Sequence, residues 1–112
     1  MRRILRFRKE DEDVFENIRK KKKRIETRAG SPNYLKISEG DMLIFVCGRK
    51  RFKRNISKIA KFKSASSLIK KLGFKTIDPD SENSTKLQEK ILGFPNYQKR
   101  IKKYGILAFY LK

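Results

Sequence analysis

Apolar and polar residues alternate over positions 2–8 (RRILRFR), with Ile4 on one side and Leu5 and Phe7 on the other, an extended pattern. Positions 9–21 change period. Val14, Phe15 and Ile18 fall on one helical face, Glu10 to Asp13 sit in the first turn and Arg19 to Lys22 near the end, a polarity that suits the helix dipole. Lys23 to Arg28 (KRIETR) alternates again and predicts a strand. A loop through Gly30, Pro32 and Asn33 leads to the turn Gly40-Asp41. The apolar run Met42–Cys47 reads as a strand buried on both faces, ended by Gly48. Arg51 to Phe62 predicts another strand. Ile59 is out of phase within it, which puts a bulge near Ser57-Lys58.

The second half alternates helix signals with one last strand. Ser64 is an N-cap for a helix carrying Leu68, Ile69 and Leu72 and stopped by Gly73. Thr85 with Gln88 resembles a capping box for a helix through Leu87 and Ile91, ended by Gly93. Pro95 opens a further helix with Tyr97, Ile101 and Tyr104, ended by Gly105. Ile106 to Leu111 is uninterrupted apolar sequence and predicts a central closing strand. About five strands and three or four helices make one α+β domain over residues 1–112, with barrel and open sheet both compatible with the pattern.

Charge changes this picture from fold to partner. The chain holds 31 Lys and Arg against 12 Asp and Glu, a net +19. Self-repulsion of that size destabilises a compact state and points to a polyanion partner. Six consecutive cations, Arg19, Lys20, Lys21, Lys22, Lys23 and Arg24, are followed by a second basic cluster that includes Arg49, Lys50, Arg51, Lys53 and Arg54, with Phe52 interleaved. Together they suit a phosphate track with a stacking option; each run alone also suits a solvated face. The chain has no His, which removes Ser-His-Asp and Cys-His catalysis and nearly every zinc pattern. Its single Cys47 allows no internal disulfide and fits a reducing, cytoplasmic setting. Neither a cofactor nor a metal is expected. The longest apolar run is six residues, and only Ile4 and Leu5 follow the first arginines, so neither a membrane span nor a signal-peptide core is expected. High charge on every copy argues for a monomer.

Lys23, Glu26 and Arg28 form a local constellation. Glu26 and Arg28 share a strand face, and Lys23 sits where helix passes to strand, so the three side chains can converge at a cleft. Such a trio is either a structural ion pair or a site for a nucleobase or phosphate, and a crowded lysine with a lowered pKa could activate water or a carbonyl.

The segment Ile18-Arg-Lys-Lys21-Lys-Lys23-Arg-Ile-Glu26-Thr-Arg28 resembles the ASCH-domain pattern I-x-x-G-x-K-x-x-E-x-R, in the PUA-like superfamily. Leu35-Lys-Ile37-Ser-Glu-Gly40-Asp41-Met-Leu-Ile-Phe45, Phe62-Lys-Ser64, Phe94-Pro-Asn-Tyr97 and Lys103-Tyr104-Gly105-Ile-Leu-Ala108-Phe109 resemble later family segments in the same order. The likeness covers nearly the whole chain and is nearest to small stand-alone archaeal members. It implies a small β-barrel flanked by helices, a cleft lined by Lys23, Glu26 and Arg28, and RNA as partner. The basic runs and this resemblance together make Lys21, Lys22, Lys23, Arg24, Glu26, Arg28, Lys50, Arg51, Lys53, Arg54, Ser64 and Tyr97 candidate nucleic-acid contacts. The alternative it implies is hydrolysis of a modified nucleoside such as N4-acetylcytidine, or of RNA, with Lys23 and Glu26 as the reacting groups. Two positions depart from the family: the pattern's glycine is Lys21 here, and the threonine nucleophile of the amidohydrolase-like members is replaced by Glu26.

Overall fold

The computed structural model describes residues 1–112. Five strands, β1 (Arg2–Arg6), β2 (Ile25–Ala29), β3 (Met42–Cys47), β4 (Lys50–Phe62) and β5 (Ile106–Leu111), and five helices, α1 (Glu12–Arg19), α2 (Ala65–Leu72), α3 (Phe74–Ile77), α4 (Ser84–Leu92) and α5 (Tyr97–Tyr104), follow in the chain order β1-α1-β2-β3-β4-α2-α3-α4-α5-β5. Single 3-10 turns add Lys9–Asp11 and Tyr34–Lys36. The strands form one mixed sheet in the order β1-β3-β4-β5-β2, with only the β1–β3 pair parallel.

β4 holds the sheet together. Its first half pairs with β3 and its second half with β5, and the register shifts between Ile56 and Lys58, where the sequence predicts the bulge. The sheet bends there, so the inner faces of both halves meet in one core. Leu5, Leu43 and Phe45 from one half pack with Leu107, Phe109 and Leu111 from the other, and α1 closes the end with Phe15 and Ile18. The opposite face of the β2–β5 half carries a second core, where Ile25, Ala29, Ile106 and Ala108 bury against Leu68, Ile69, Ile77, Leu87, Ile91 and Ile101 of the helices.

The curled sheet stops short of a closed barrel. β1 and β2 are its two edges and share no backbone ladder. A side chain spans the gap instead: Arg28 on β2 donates from Nη1 to the carbonyl of Arg6 on β1 at 3.3 Å. Burial leaves unpaired edge groups costly, whereas here one edge looks into a cleft where such groups meet polar side chains.

The predicted elements recur with four changes, one being that Pro95 lies before α5, whose N-cap is Asn96, instead of opening the helix. The helix expected over 9–21 is a 3-10 turn followed by the shorter α1, which ends where Lys21 takes a left-handed φ of 64°. Asn83 caps α4, its side chain accepting from the Lys86 N–H at 2.8 Å, so Thr85 lies inside the helix. α3, a single turn, has no counterpart in the sequence pattern. Ser64 does cap α2: its hydroxyl accepts from the Ser67 N–H at 3.0 Å and the Ser67 hydroxyl returns the bond to the Ser64 N–H. No helix is long and apolar enough to cross a membrane.

Candidate functional site

A cleft of about 210 Å³ opens beside the β1–β2 gap, between the Phe7–Asp11 segment on one side and α3, α4 and α5 on the other. β2 supplies its charged floor. Glu26 is buried, and both carboxylate oxygens are engaged: Oε1 accepts from the Thr27 N–H and Oε2 from Arg28 Nε, each at 3.0 Å. Lys23 is buried as well. Its Nζ donates to the carbonyl of Ile77 on α3 and lies 3.8 Å from Glu26 Oε1. Burial pushes the Lys23 amine below the ordinary lysine range, against the pull of Glu26 and Asp78. Arg28 is under the opposite balance. Burial opposes its charge, but Glu26 together with Tyr97 and Tyr34 outweighs it and raises it above the ordinary arginine value.

Aromatic rings and guanidinium groups make up the walls. Arg28 stacks on Phe7 with its Cζ 4.5 Å from the ring centre, and its Nη1 reaches the Tyr34 hydroxyl at 3.3 Å. Arg100 on α5 lies against both Tyr34 and Tyr97, at 5.6 and 5.2 Å. Two backbone carbonyls fix it: Nη2 donates to Ala29 at 2.6 Å and Nε to Gly30 at 3.1 Å. Gly30 must be small for this, since a Cβ there would lie 2.6 Å from the Cβ of Tyr104. Arg8 covers Phe94 at 5.5 Å and pairs with Asp11 at 2.7 Å. Every ring lining the cleft thus carries a guanidinium, an arrangement that suits planar and anionic groups. Burial raises the Tyr97 hydroxyl above the ordinary phenol value, so it is a neutral donor at physiological pH. On the far wall Lys90 donates to Asp78 at 2.9 Å. Burial acts to raise the Asp78 carboxyl, but this bond and the Asp80 N–H outweigh it and hold the carboxyl below its ordinary range. No group of three or more metal-ligating side chains forms.

No known family profile matches the sequence, and no curated protein matches it. Among solved structures, the chain is similar to that of hypothetical protein PH0355, with 25% identity and a TM-score of 0.86 over all of this chain and 98% of that one. It is also similar to protein PF0455 from Pyrococcus furiosus, with 22% identity and a TM-score of 0.72 over all of this chain and 96% of that one. Both likenesses extend over whole chains and establish the arrangement as a recurrent α+β fold.

Four of the residues singled out from the sequence meet in the cleft: Lys23, Glu26, Arg28 and Tyr97. The others lie elsewhere. Lys21, Lys22 and Arg24 are exposed outside it, and Lys21 and Arg24 share a shallow dent with the half-buried Arg54. Arg51 and Lys53 are exposed on β4, opposite Val46 and Ile44 of β3. Lys50 is exposed and pairs with Glu12 at 3.2 Å, which uses part of its charge internally. Ser64 is occupied in capping α2 and is absent from the cleft lining. Reading the sequence missed Arg8, Tyr34, Phe94 and Arg100 as cleft residues. Only the segment Phe94-Pro-Asn-Tyr97 gave a signal for any of them.

Proposed function

We propose that this chain is a single-strand RNA-binding module of the ASCH type, its curled sheet being a PUA-like barrel left open at the β1–β2 seam. The observation that carries the reading is the cleft at that seam: Phe7, Tyr34, Phe94 and Tyr97 each paired with a guanidinium, above a buried Lys23–Glu26–Arg28 floor. Its volume of about 210 Å³ falls below the roughly 300–1,000 Å³ of sites that enclose a drug-sized ligand, and so suits one unstacked nucleotide held in part. Glu26 acts by holding Arg28 and Lys23 in place, and the arginines and tyrosines meet the ligand. The exposed cations Lys21, Lys22, Arg24, Arg51 and Lys53 contribute the nonspecific attraction. The module works as a monomer in the cytoplasm, where RNA is abundant.

A second reading has one observation in its favour, the buried amine of Lys23 with its lowered proton affinity, which fits a base acting on an amide of a modified nucleoside or on RNA itself. Against it, Glu26 has both oxygens engaged and occupies the place of the family's nucleophile.

Titration of fluorescent single-stranded and duplex RNA against wild type and Glu26→Gln, across a salt series, separates the readings. Five to eight neutralised phosphates give a log–log salt slope of about −4 to −6 for single strands. Salt-steep binding whose preference among RNAs changes with Glu26→Gln supports a nucleotide-reading cleft. Salt-steep binding indifferent to the substitution reduces the protein to a nonspecific track, and turnover of acetylated nucleoside lost in Lys23→Ala would replace the binding reading by the hydrolase.

A further inference from the structure

Beyond the cleft, a second concavity lies on the other side of Lys23. Lys21, Lys23, Arg24, Arg54 and Lys112 make up five of the seven residues that line it, with Ile18 and Leu111 as the remainder, in a chain where cations are 31 of 112 residues. No side-chain carboxylate lies within ion-pair distance of Lys21, Arg24, Arg54 or Lys112, whereas the fifth cation, Lys23, stands 3.8 Å from Glu26 Oε1. Lys23 lines both concavities, so the dent adjoins the cleft through a single side chain.

One member of this cluster, Arg54, is held in place, and another, Lys21, has an unusual backbone conformation. Arg54 donates from Nη2 to the Arg19 carbonyl at 2.9 Å and from Nη1 to the Lys53 carbonyl at 2.8 Å, and it stacks 4.8 Å from Phe52. Lys21 keeps a left-handed φ of 64°, a conformation that disfavours any residue with a Cβ and that glycine would take freely. Capping α1 does not explain the lysines. The carbonyls of Glu16, Asn17 and Ile18 already accept backbone N–H groups from Lys20, Lys22, Lys23 and Lys21, and that of Arg19 is served by Arg54. The side chains of Lys21 and Arg24 are left with no partner inside the protein.

The geometry points to a phosphate subsite formed by Lys21, Arg24 and Arg54, taking one phosphodiester of the single strand whose neighbouring nucleotide enters the cleft. The link to the cleft rests on the RNA reading above; the anion subsite does not. A phosphate here is held by charge and by a preset guanidinium, and it fixes which nucleotide of a strand reaches Arg28 and Tyr97.

The test uses the whole chain in three forms: wild type, the pair Lys21→Gly with Arg24→Gln, and the pair Lys70→Gln with Lys71→Gln, which removes equal charge from the exposed side of α2. Thermal melting checks that each is folded. Inorganic phosphate is titrated first, with backbone amide shifts as readout, followed by an RNA trinucleotide at several salt concentrations. Phosphate is expected to move the amides of residues 21–24 and to leave those of residues 70 and 71 in place. The first pair is expected to weaken the trinucleotide about tenfold and to flatten its salt slope by about one, with less than about a twofold change for the second pair. Equal losses from both pairs, or phosphate shifts spread evenly over the two regions, overturn the subsite. Phosphate shifts confined to residues 21–24, with no response of cleft residues to the trinucleotide, keep the subsite and reject the RNA reading of the cleft.

Discussion

Lys23 Nζ gives its hydrogen bond to the carbonyl of Ile77, 54 residues further along the chain, while Glu26 Oε1 stands 3.8 Å away. Helix α3 is thereby tied to the start of β2 by a buried amine, and the cleft floor depends on both. The electrostatic sign of that burial is measurable. Because folding lowers the proton affinity of Lys23, the unfolded chain binds more protons between the lowered value and the ordinary lysine value of about 10.4. Stability contributed by this group therefore rises with pH through that window. Urea unfolding of wild type and Lys23→Met, compared from about pH 7 to about pH 10, should show wild type gaining on the variant as pH rises. A constant difference would mean that Lys23 titrates alike in both states.

Lys21 offers a stability gain. Its φ of 64° is costly for a residue with a Cβ, so Lys21→Gly should stabilise the fold by about 0.5–1 kcal/mol. The matched control is Lys20→Gly, at φ −83°, where glycine only adds freedom to the unfolded chain and should destabilise. Thermal midpoints of the two variants moving in the same direction would contradict this account.

Gly30 couples the loop to the cleft. An added methyl meets the Tyr104 Cβ and carbonyl at 2.6 and 2.9 Å, both at or next to the backbone, so relief requires the chain to move. Gly30→Ala should cost about 1–3 kcal/mol by overpacking, read from urea midpoints. Because the Gly30 carbonyl anchors Arg100, the same variant should also weaken ligand binding at temperatures where it remains folded.

Arg100→Lys separates charge from shape. Lysine keeps the positive charge but loses the fork that holds the Ala29 and Gly30 carbonyls while lying against Tyr34 and Tyr97. Affinity for single-stranded RNA is expected to fall about tenfold with the salt slope unchanged, since no phosphate contact is lost. An unchanged affinity would assign Arg100 to bulk attraction alone.

Much of the fold is legible because its signals are local. The run Ile106–Leu111, the Ser64 cap and the phase change near Ser57 each lie within a few residues, and each forms as the pattern predicts. α3 escapes because four residues, Phe74–Ile77, are too few to display a helical period. The cap of α4 was misplaced because Asn83 and Thr85 are both competent and only the fold selects between them. In the site, Lys23, Glu26 and Arg28 stand within six positions and could be grouped by strand alternation. Arg100 could not. It sits among Lys99, Lys102 and Lys103 on α5, and nothing local distinguishes the one cation that turns inward to backbone carbonyls from its exposed neighbours.

The shift at Ser57 has a consequence for how the two cores are kept apart. Before it, Phe52 and Ile56 of β4 face the core shared with α1; after it, Ile59 still packs there, while Ala60 and Phe62 face the helices α2 to α5. An unbroken alternation would send Ala60 and Phe62 to the same side as Ile56 and turn Ile59 and Lys61 toward the helices. One extra residue thus acts as a phase switch in the middle of the longest strand, letting a single segment serve two interiors. Deleting it would leave every side chain in place along the sequence and exchange the inside of one layer for that of the other.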